Sequence, residues 1–301
     1  MKYLLIIFIV YLVICFIMFL FISYRGMDKL FGVINKKIEQ TLSPYKDKYL
    51  KEIEWINKQD IKKVSIKSYD NLDLNASFLK NKKEKYILIL SHGYRSTPDR
   101  DIYASLREYY NMGCSILFVD LRACASSSGN FITFGYKESK DLNSWIDYVH
   151  KKNPKAKIIL GGISLGATSS LLVNNKYVKA MILDCGFKNA YNQIKYTINH
   201  YFHLPSLLFV PTIDLYFRLF NGISLKKIDT FNNLDKLNIP ILFIHGKSDE
   251  FIPYHNTVDN YDYYEHEKEL LLVDNADHGM SYLIDRDKYI NKINDFIKKY
   301  L

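Results

Sequence analysis

The sequence predicts an α/β domain, a mostly parallel central sheet with helices on both faces, carried behind one N-terminal membrane-spanning helix. Three observations predict it. From residue 60 onward, short apolar runs alternate with longer segments of helical periodicity. One of those runs, in IILGGISLGATSS (158–170), breaks into glycines around Ser164 and continues into small, helix-forming residues. The chain also carries 22 residues without a charge, from Tyr3 to Tyr24.

That apolar segment is about 33 Å long as a helix, enough to cross a hydrocarbon core of about 30 Å. Tyr3 and Tyr24 stand at its ends, where interfacial anchors belong. It lacks the short apolar core and small-residue cleavage site of a removable signal peptide, so a retained single-pass anchor over residues 1–25 is expected. LVIC, ending at Cys15, has bulky Ile14 where a lipoprotein site needs a small residue. Lys2 lies on one side of the span, and Arg25, Lys29, Lys36 and Lys37 on the other. That bias favours a cytoplasmic main domain, with the side left open.

The composition, 48% hydrophobic and 24% charged over 301 residues, is that of a globular chain and excludes a disordered one. The net charge of +9 suits a phospholipid surface or another anionic polymer, but no nucleic-acid-binding signature accompanies it. The cysteines at 15, 114, 124 and 185 match no zinc spacing and no disulfide framework. No metal or organic cofactor is expected.

Residues 26–59 read as an amphipathic connector. Leu30, Ile34 and Ile38 recur at helical spacing up to Pro44, either on the lipid surface or against the main domain. The α/β domain is expected over 60–301. VSIKSYDNLDLNASFL forms a hairpin around Asp70 and Asn71. KYILILSHGY, CSILFVDLR, KIIL, VKAMILDCGF, NIPILFIHG and KELLLVD follow as strands with helices between them. Residues 188–230 interrupt this rhythm with aromatic, helix-like sequence. Phe202, Phe209, Phe217 and their neighbours there form either a lid over a pocket or the cap's own core.

A G-x-S-x-G match alone arises by chance in about one random chain in ten of this length. Its position decides: it follows a strand and opens a helix, as a nucleophile elbow does. Gly162 and Gly166 allow the tight turn, and Ser164 is the candidate nucleophile. A serine hydroxyl needs a base and a carboxylate to orient that base, in the chain order Ser, acid, His. Asp249 follows ILFIHG and His278 follows KELLLV, each just beyond a strand. Asp184 and Glu250 remain as alternative acids. His245 lies at the end of its own strand, where a structural turn role is expected, and the His200/His203 pair is a weak metal spacing. Tyr94, in the His92-Gly93-Tyr94 loop, and Leu165, next to the serine, are the candidate backbone donors for an oxyanion.

SHGY, DLRACASSSG, GISLG, HGKSDEFIP and ADHG, in that order, resemble the α/β-hydrolase fold, and more narrowly the membrane-anchored serine aminopeptidase-like and acylglycerol-lipase-like hydrolases. The resemblance covers residues 60–301. It implies a Ser-Asp-His hydrolase with a lid after the sixth core strand. The chain departs from the pattern at Arg122-Ala123-Cys124-Ala125, where relatives carry glycine, and the resemblance implies that this loop borders the active-site rim. Apolar lid residues and an anchor point to a lipid-like or acylated small-molecule substrate. Peptidase action of the serine aminopeptidase type, acyl transfer to another acceptor and a catalytically silent membrane scaffold remain alternatives, and the oligomeric state is left open.

Overall fold

The computed structural model describes residues 1–28 and 45–301. The predicted connector helix through Leu30, Ile34 and Ile38 lies outside the described residues. In chain order the elements are α1 (Lys2–Ser23), α2 (Lys46–Asn57), β1 (Ile61–Lys67), β2 (Asp73–Leu79), β3 (Tyr86–Ser91), α3 (Tyr103–Asn111), β4 (Cys114–Val119), α4 (Tyr136–Lys152) and β5 (Ile158–Ile163). There follow α5 (Leu165–Leu171), β6 (Val178–Asp184), α6 (Ala190–Tyr201), α7 (Ser206–Asn221), β7 (Ile241–Gly246), α8 (His255–Tyr263), β8 (Lys268–Val273) and α9 (Arg286–Tyr300). Shorter helical turns connect some of these.

All eight predicted strands form and join one sheet in the order β1-β2-β4-β3-β5-β6-β7-β8. The hairpin β1–β2 and the β2–β4 pair are antiparallel, and the strands from β4 to β8 are parallel. Period-two alternation explains why β3 has no polar face. Ile87 and Ile89 point into one core, and Leu88 and Leu90 into the other.

Helices cover both faces. On α4, Leu142, Trp145, Ile146 and Val149 recur at helical spacing and are buried, each contributing about 1.5–3 kcal/mol of transfer free energy. Glu138 closes the start of that helix by accepting from the Gly135 N–H at 3.0 Å and the Thr133 N–H at 2.7 Å. On the opposite face, α9 buries Ile293, Phe296 and Ile297, while Ile290 is only partly covered. Helix α2 packs on α3 through an Arg107–Glu52 ion pair at 3.0 Å and an edge-on Trp55–Tyr110 contact.

The insertion between β6 and β7 is helical, as expected, and consists mainly of α6 and α7. Asn189 caps α6 by accepting from the Asn192 N–H at 3.0 Å. Gly222, with φ +74°, ends α7 in the left-handed conformation that glycine tolerates best. The large apolar residues of this cap divide by direction. Phe217 is fully buried, Tyr216 faces α1, and Leu207, Leu208 and Leu219 are exposed.

Helix α1 is long and apolar enough to cross a membrane. Leu4, Leu5 and Ile7 in its first half are exposed, while Cys15 and Phe19 in its second half are completely covered. Contacts with α7 advance along both helices in the same sense. They run from the Tyr11 hydroxyl on the Leu208 carbonyl, at 2.6 Å, to Phe19 against Phe217 and Phe220.

Candidate active site

Parallel strands end at one edge of the sheet, and the loops there carry the chemistry. Ser164 follows β5, Asp249 follows β7, His278 follows β8, and the His92-Gly93-Tyr94 loop follows β3.

Ser164 adopts φ +56° and ψ −118°, a strained backbone for a residue with a side chain, at a cost of order 1–3 kcal/mol. Its flanking glycines are sterically required. A Cβ on Gly162 would lie 2.6 Å from the Ala167 nitrogen, and one on Gly166 would lie 2.7 Å from Ser91 Oγ. The turn is held by the Ser164 N–H donating to the Asp184 carbonyl at 2.8 Å, and α5 begins immediately after it.

The structure brings the predicted residues together. His278 Nε2 lies 2.9 Å from Ser164 Oγ, and His278 Nδ1 lies 2.6 Å from Asp249 Oδ2. A carboxylate accepts only, so Nδ1 carries the proton and Nε2 is left to accept from the serine hydroxyl. Of the two alternative acids, Asp184 meets Ser281 Oγ at 3.2 Å, and Glu250 is exposed. Burial raises the Asp184 carboxyl to about 6.

Asp249 is saturated with donors. Its Oδ1 accepts from the Phe251 and Ile252 N–H groups at 2.9 and 2.7 Å. Its Oδ2 lies between His278 and a second imidazole, His245 Nε2 at 2.9 Å. Burial works toward protonation of this carboxyl, but His278 and His245 outweigh it and hold it below the ordinary carboxylate range. For His278, burial opposes the charged form. The Asp249 carboxylate, with Cys185 as a further hydrogen-bond partner, opposes that effect and raises the imidazole above its ordinary value of 6.5. Burial raises the Cys185 thiol to about 11, so it is uncharged at neutral pH and Asp249 is the anion that holds the imidazolium.

His245 holds the turn that follows β7, as expected of its strand-end position, and in doing so also meets Asp249. It is wholly buried at the end of β7 and bonds Thr257 Oγ1 through Nδ1 at 2.6 Å. Its Nε2 faces two acceptors, Asp249 and the Ile252 carbonyl, and so carries the proton. The i, i+4 spacing of His245 and Asp249 was the available sequence signal. Cys185, just past β6, was not singled out as a site residue either. Among the described residues, Cys185, Asp249 and His278 are the one cluster with three metal-capable atoms, and they are the site itself. His200 stacks on Tyr196 instead.

The His92-Gly93-Tyr94 loop crosses over the serine. A Cβ on Gly93 would lie 3.3 Å from Ser164 Cβ. Two bonds pin the loop: the Gly93 N–H donates to Asp101 Oδ2 at 2.7 Å, and the Leu121 N–H donates to His92 Nε2 at 3.1 Å. Tyr94 and Leu165 both border the hollow in front of Ser164. That hollow is predominantly apolar, with Phe134, Phe187, Ile194, Ile198 and Phe251 in its walls. A wider opening beside it is flanked by Asp101, Glu250 and Asp277, and cap residues Tyr201 and Phe202 overhang it.

The Arg122–Ala125 loop is absent from the walls of both hollows, contrary to the rim position implied by resemblance. Ala123 and Ala125 take positive φ, +57° and +44°, where glycine would be unstrained. Arg122 is buried in ion pairs with Asp141 and Asp70 at 2.6 and 2.9 Å. The end of this loop and the residues after it face the segment that follows α1: Arg25 donates to the Ala125 and Ser127 oxygens at 2.7 Å each.

Comparison with known proteins agrees with this architecture. The profile of the family described as X-Pro dipeptidyl-peptidase (S15 family) matches residues 35–217, more than half of the chain. The chain is 29% identical over 194 residues to the uncharacterized protein YqkD of Bacillus subtilis. That match spans 63% of this chain and 64%, under two thirds, of the relative's length. Among solved structures, esterase Pf2001 of Pyrococcus furiosus superposes with a TM-score of 0.65 at 21% identity, covering 80% of this chain and 91% of that one. Est1E of Butyrivibrio proteoclasticus gives 0.61 at 18% identity, covering 79% and 98%. The acylaminoacyl peptidase of Pyrococcus horikoshii gives 0.60 at 16%, covering 81% of this chain and 42% of that one. These structural likenesses are of fold. By its sequence match and its sheet, the chain belongs to the X-Pro dipeptidyl-peptidase (S15) family and has the α/β-hydrolase fold.

Proposed function

We propose that the protein is a membrane-anchored serine hydrolase that cleaves acyl esters of lipid-like substrates through an acyl-enzyme. The observation that carries this reading is the continuous relay from Ser164 Oγ to His278, at 2.9 Å, and from His278 to Asp249, at 2.6 Å. As Ser164 Oγ bonds to the acyl carbon, its proton passes to His278 Nε2. The carbonyl oxygen becomes an oxyanion facing the Tyr94 and Leu165 N–H groups. When the carbonyl re-forms, the bond to the alcohol oxygen breaks and His278 returns the proton to that oxygen. Water then attacks the acyl-enzyme, its proton goes to His278, and the acid leaves as Ser164 regains a proton. The apolar hollow at Ser164 supports an acyl chain as the bound group, and α1 supports a membrane location.

A second reading, exopeptidase action, is favoured by the family match and by Glu250 and Asp277 beside the wider opening, where an ammonium group would be attracted. One experiment separates the two. Purified protein is labelled with a fluorophosphonate, and turnover of p-nitrophenyl acyl esters is compared with that of aminoacyl- and X-Pro-anilides. Labelling abolished in Ser164→Ala and His278→Ala, with ester turnover exceeding anilide turnover, is the expected result. Wild type that is folded yet unlabelled refutes the relay, and anilide preference moves the assignment to a peptidase.

A further inference from the structure

We propose that the last turn of the apolar helix α1 is part of the substrate-binding site, with Phe21 and Ile22 setting which acyl chains the pocket accepts. This rests on the acyl-hydrolase reading for its chemistry, but the pocket itself is geometric. Phe21 and Ile22 line the apolar hollow together with Ser164 and Leu165, and Phe21 also borders the wider opening that holds His278. Phe21 faces the cap edge-on, its ring 6.4 Å from that of Phe202. The wall is therefore shared between an anchor residue and a lid residue.

A tether would be free to move, whereas this helix end is latched on three sides. Tyr94, whose own N–H is a candidate oxyanion donor, gives its hydroxyl proton to the Ile22 carbonyl at 2.7 Å. Arg95 donates to the carbonyls of Phe21 and Tyr24 at 2.9 and 3.0 Å and pairs with Asp28. Main-chain bonds continue the latch, from the Ile132 N–H to the Ser23 carbonyl and from the Arg25 N–H to the Asn130 carbonyl, each at 2.8 Å. Below them Phe19 is fully buried against Phe131 and Phe217. The Arg122–Ala125 loop and the residues just after it add contacts through the Ala125 and Ser127 carbonyls on Arg25. Two side chains fixed so firmly in an apolar wall act as a gauge of chain size.

The test uses the full-length protein in detergent micelles or nanodiscs. In the first arm, kcat/KM is measured for p-nitrophenyl esters of four to twelve carbons in wild type, Phe21→Ala, Phe21→Trp and Ile22→Ala. In the second arm, the affinity of fluorescent fatty acids of two lengths is measured in a Ser164→Ala background, where no chemistry is required. Each methylene that gains or loses its contact is worth about 0.8 kcal/mol, about fourfold in kcat/KM. Phe21→Ala is expected to raise the long-to-short ratio at least fivefold, and Phe21→Trp to lower it by a similar factor, in both arms. Leu5→Ala, at an exposed position far along the same helix, is expected to leave the ratio unchanged. Ratios that stay at the wild-type value in all three wall variants, with thermal unfolding showing them folded, overturn the proposal. Opposite shifts in the binding arm without ester turnover sustain it and fault the hydrolytic reading instead.

Discussion

Asp249→Asn removes one charge and almost no volume, so its consequence follows from counting donors. Four donors converge on the carboxylate: two backbone N–H groups on Oδ1, and the protonated nitrogens of His245 and His278 on Oδ2. Asparagine offers one acceptor oxygen and an NH2 group. If the amide oxygen faces His245 and His278, the Phe251 and Ile252 N–H groups are both left buried without a partner, at about 1–3 kcal/mol each. If it faces the backbone instead, His245 still has the Ile252 carbonyl, and the loss falls on His278 alone. The second orientation is favoured. His278 then faces an amide N–H and must shed its Nδ1 proton, which places the proton on Nε2, where it blocks acceptance from Ser164. A base trapped in the wrong tautomer costs about 10⁴ in kcat, equivalent to about 5.5 kcal/mol. The assay is kcat for p-nitrophenyl butyrate together with the rate of fluorophosphonate labelling, both expected to fall by that factor while thermal stability stays within a few kcal/mol. Retention of activity within tenfold of wild type would refute the tautomer argument and the role given to Asp249.

Three further outcomes are expected. Because the His278 pKa lies well above 6.5, the imidazole is a base only after that proton leaves; kcat/KM should rise with pH along one limb with its midpoint above 6.5, and a flat profile from pH 5 to 9 would contradict this. Arg122→Ala should destabilise the fold by about 3–5 kcal/mol in chemical denaturation, because it strands the buried Asp141 carboxylate. The folded Asp141 pKa is already raised to about 6 by burial and climbs further without its partner, so the deficit should narrow at pH 5 relative to pH 8; a deficit that widens toward acid would reverse the sign of the argument. Arg25→Ala removes two charge-assisted bonds of about 1.5–3 kcal/mol each, and hydrogen exchange in residues 123–132 should quicken measurably while that in β3 and β5 is unchanged.

The sequence by itself determined the sheet, the cap and the names of the central residues. Each of those signals is local. Ile87 to Leu90 read as a buried strand because alternate side chains have no polar face, and Leu142, Trp145, Ile146 and Val149 read as a helix because they share one face. Ser164 is legible because the chemistry of a tight strand-to-helix turn demands glycine at 162 and 166, and Asp249 and His278 because each follows a strand in the order this fold uses. The tertiary structure alone decided how distant pieces share work. His245 looked like a strand-end residue because nothing in ILFIHG says that Asp249 folds back over it. The alanines at 123 and 125 looked like a change at the rim, whereas their backbone faces a residue about a hundred positions away, Arg25. Helix α1 read as an anchor because hydropathy reports solvent preference and carries no information about which protein surface a greasy helix meets. Its contacts with α7 join residues nearly two hundred apart, and only the closed fold brings Phe21 to the wall in front of Ser164.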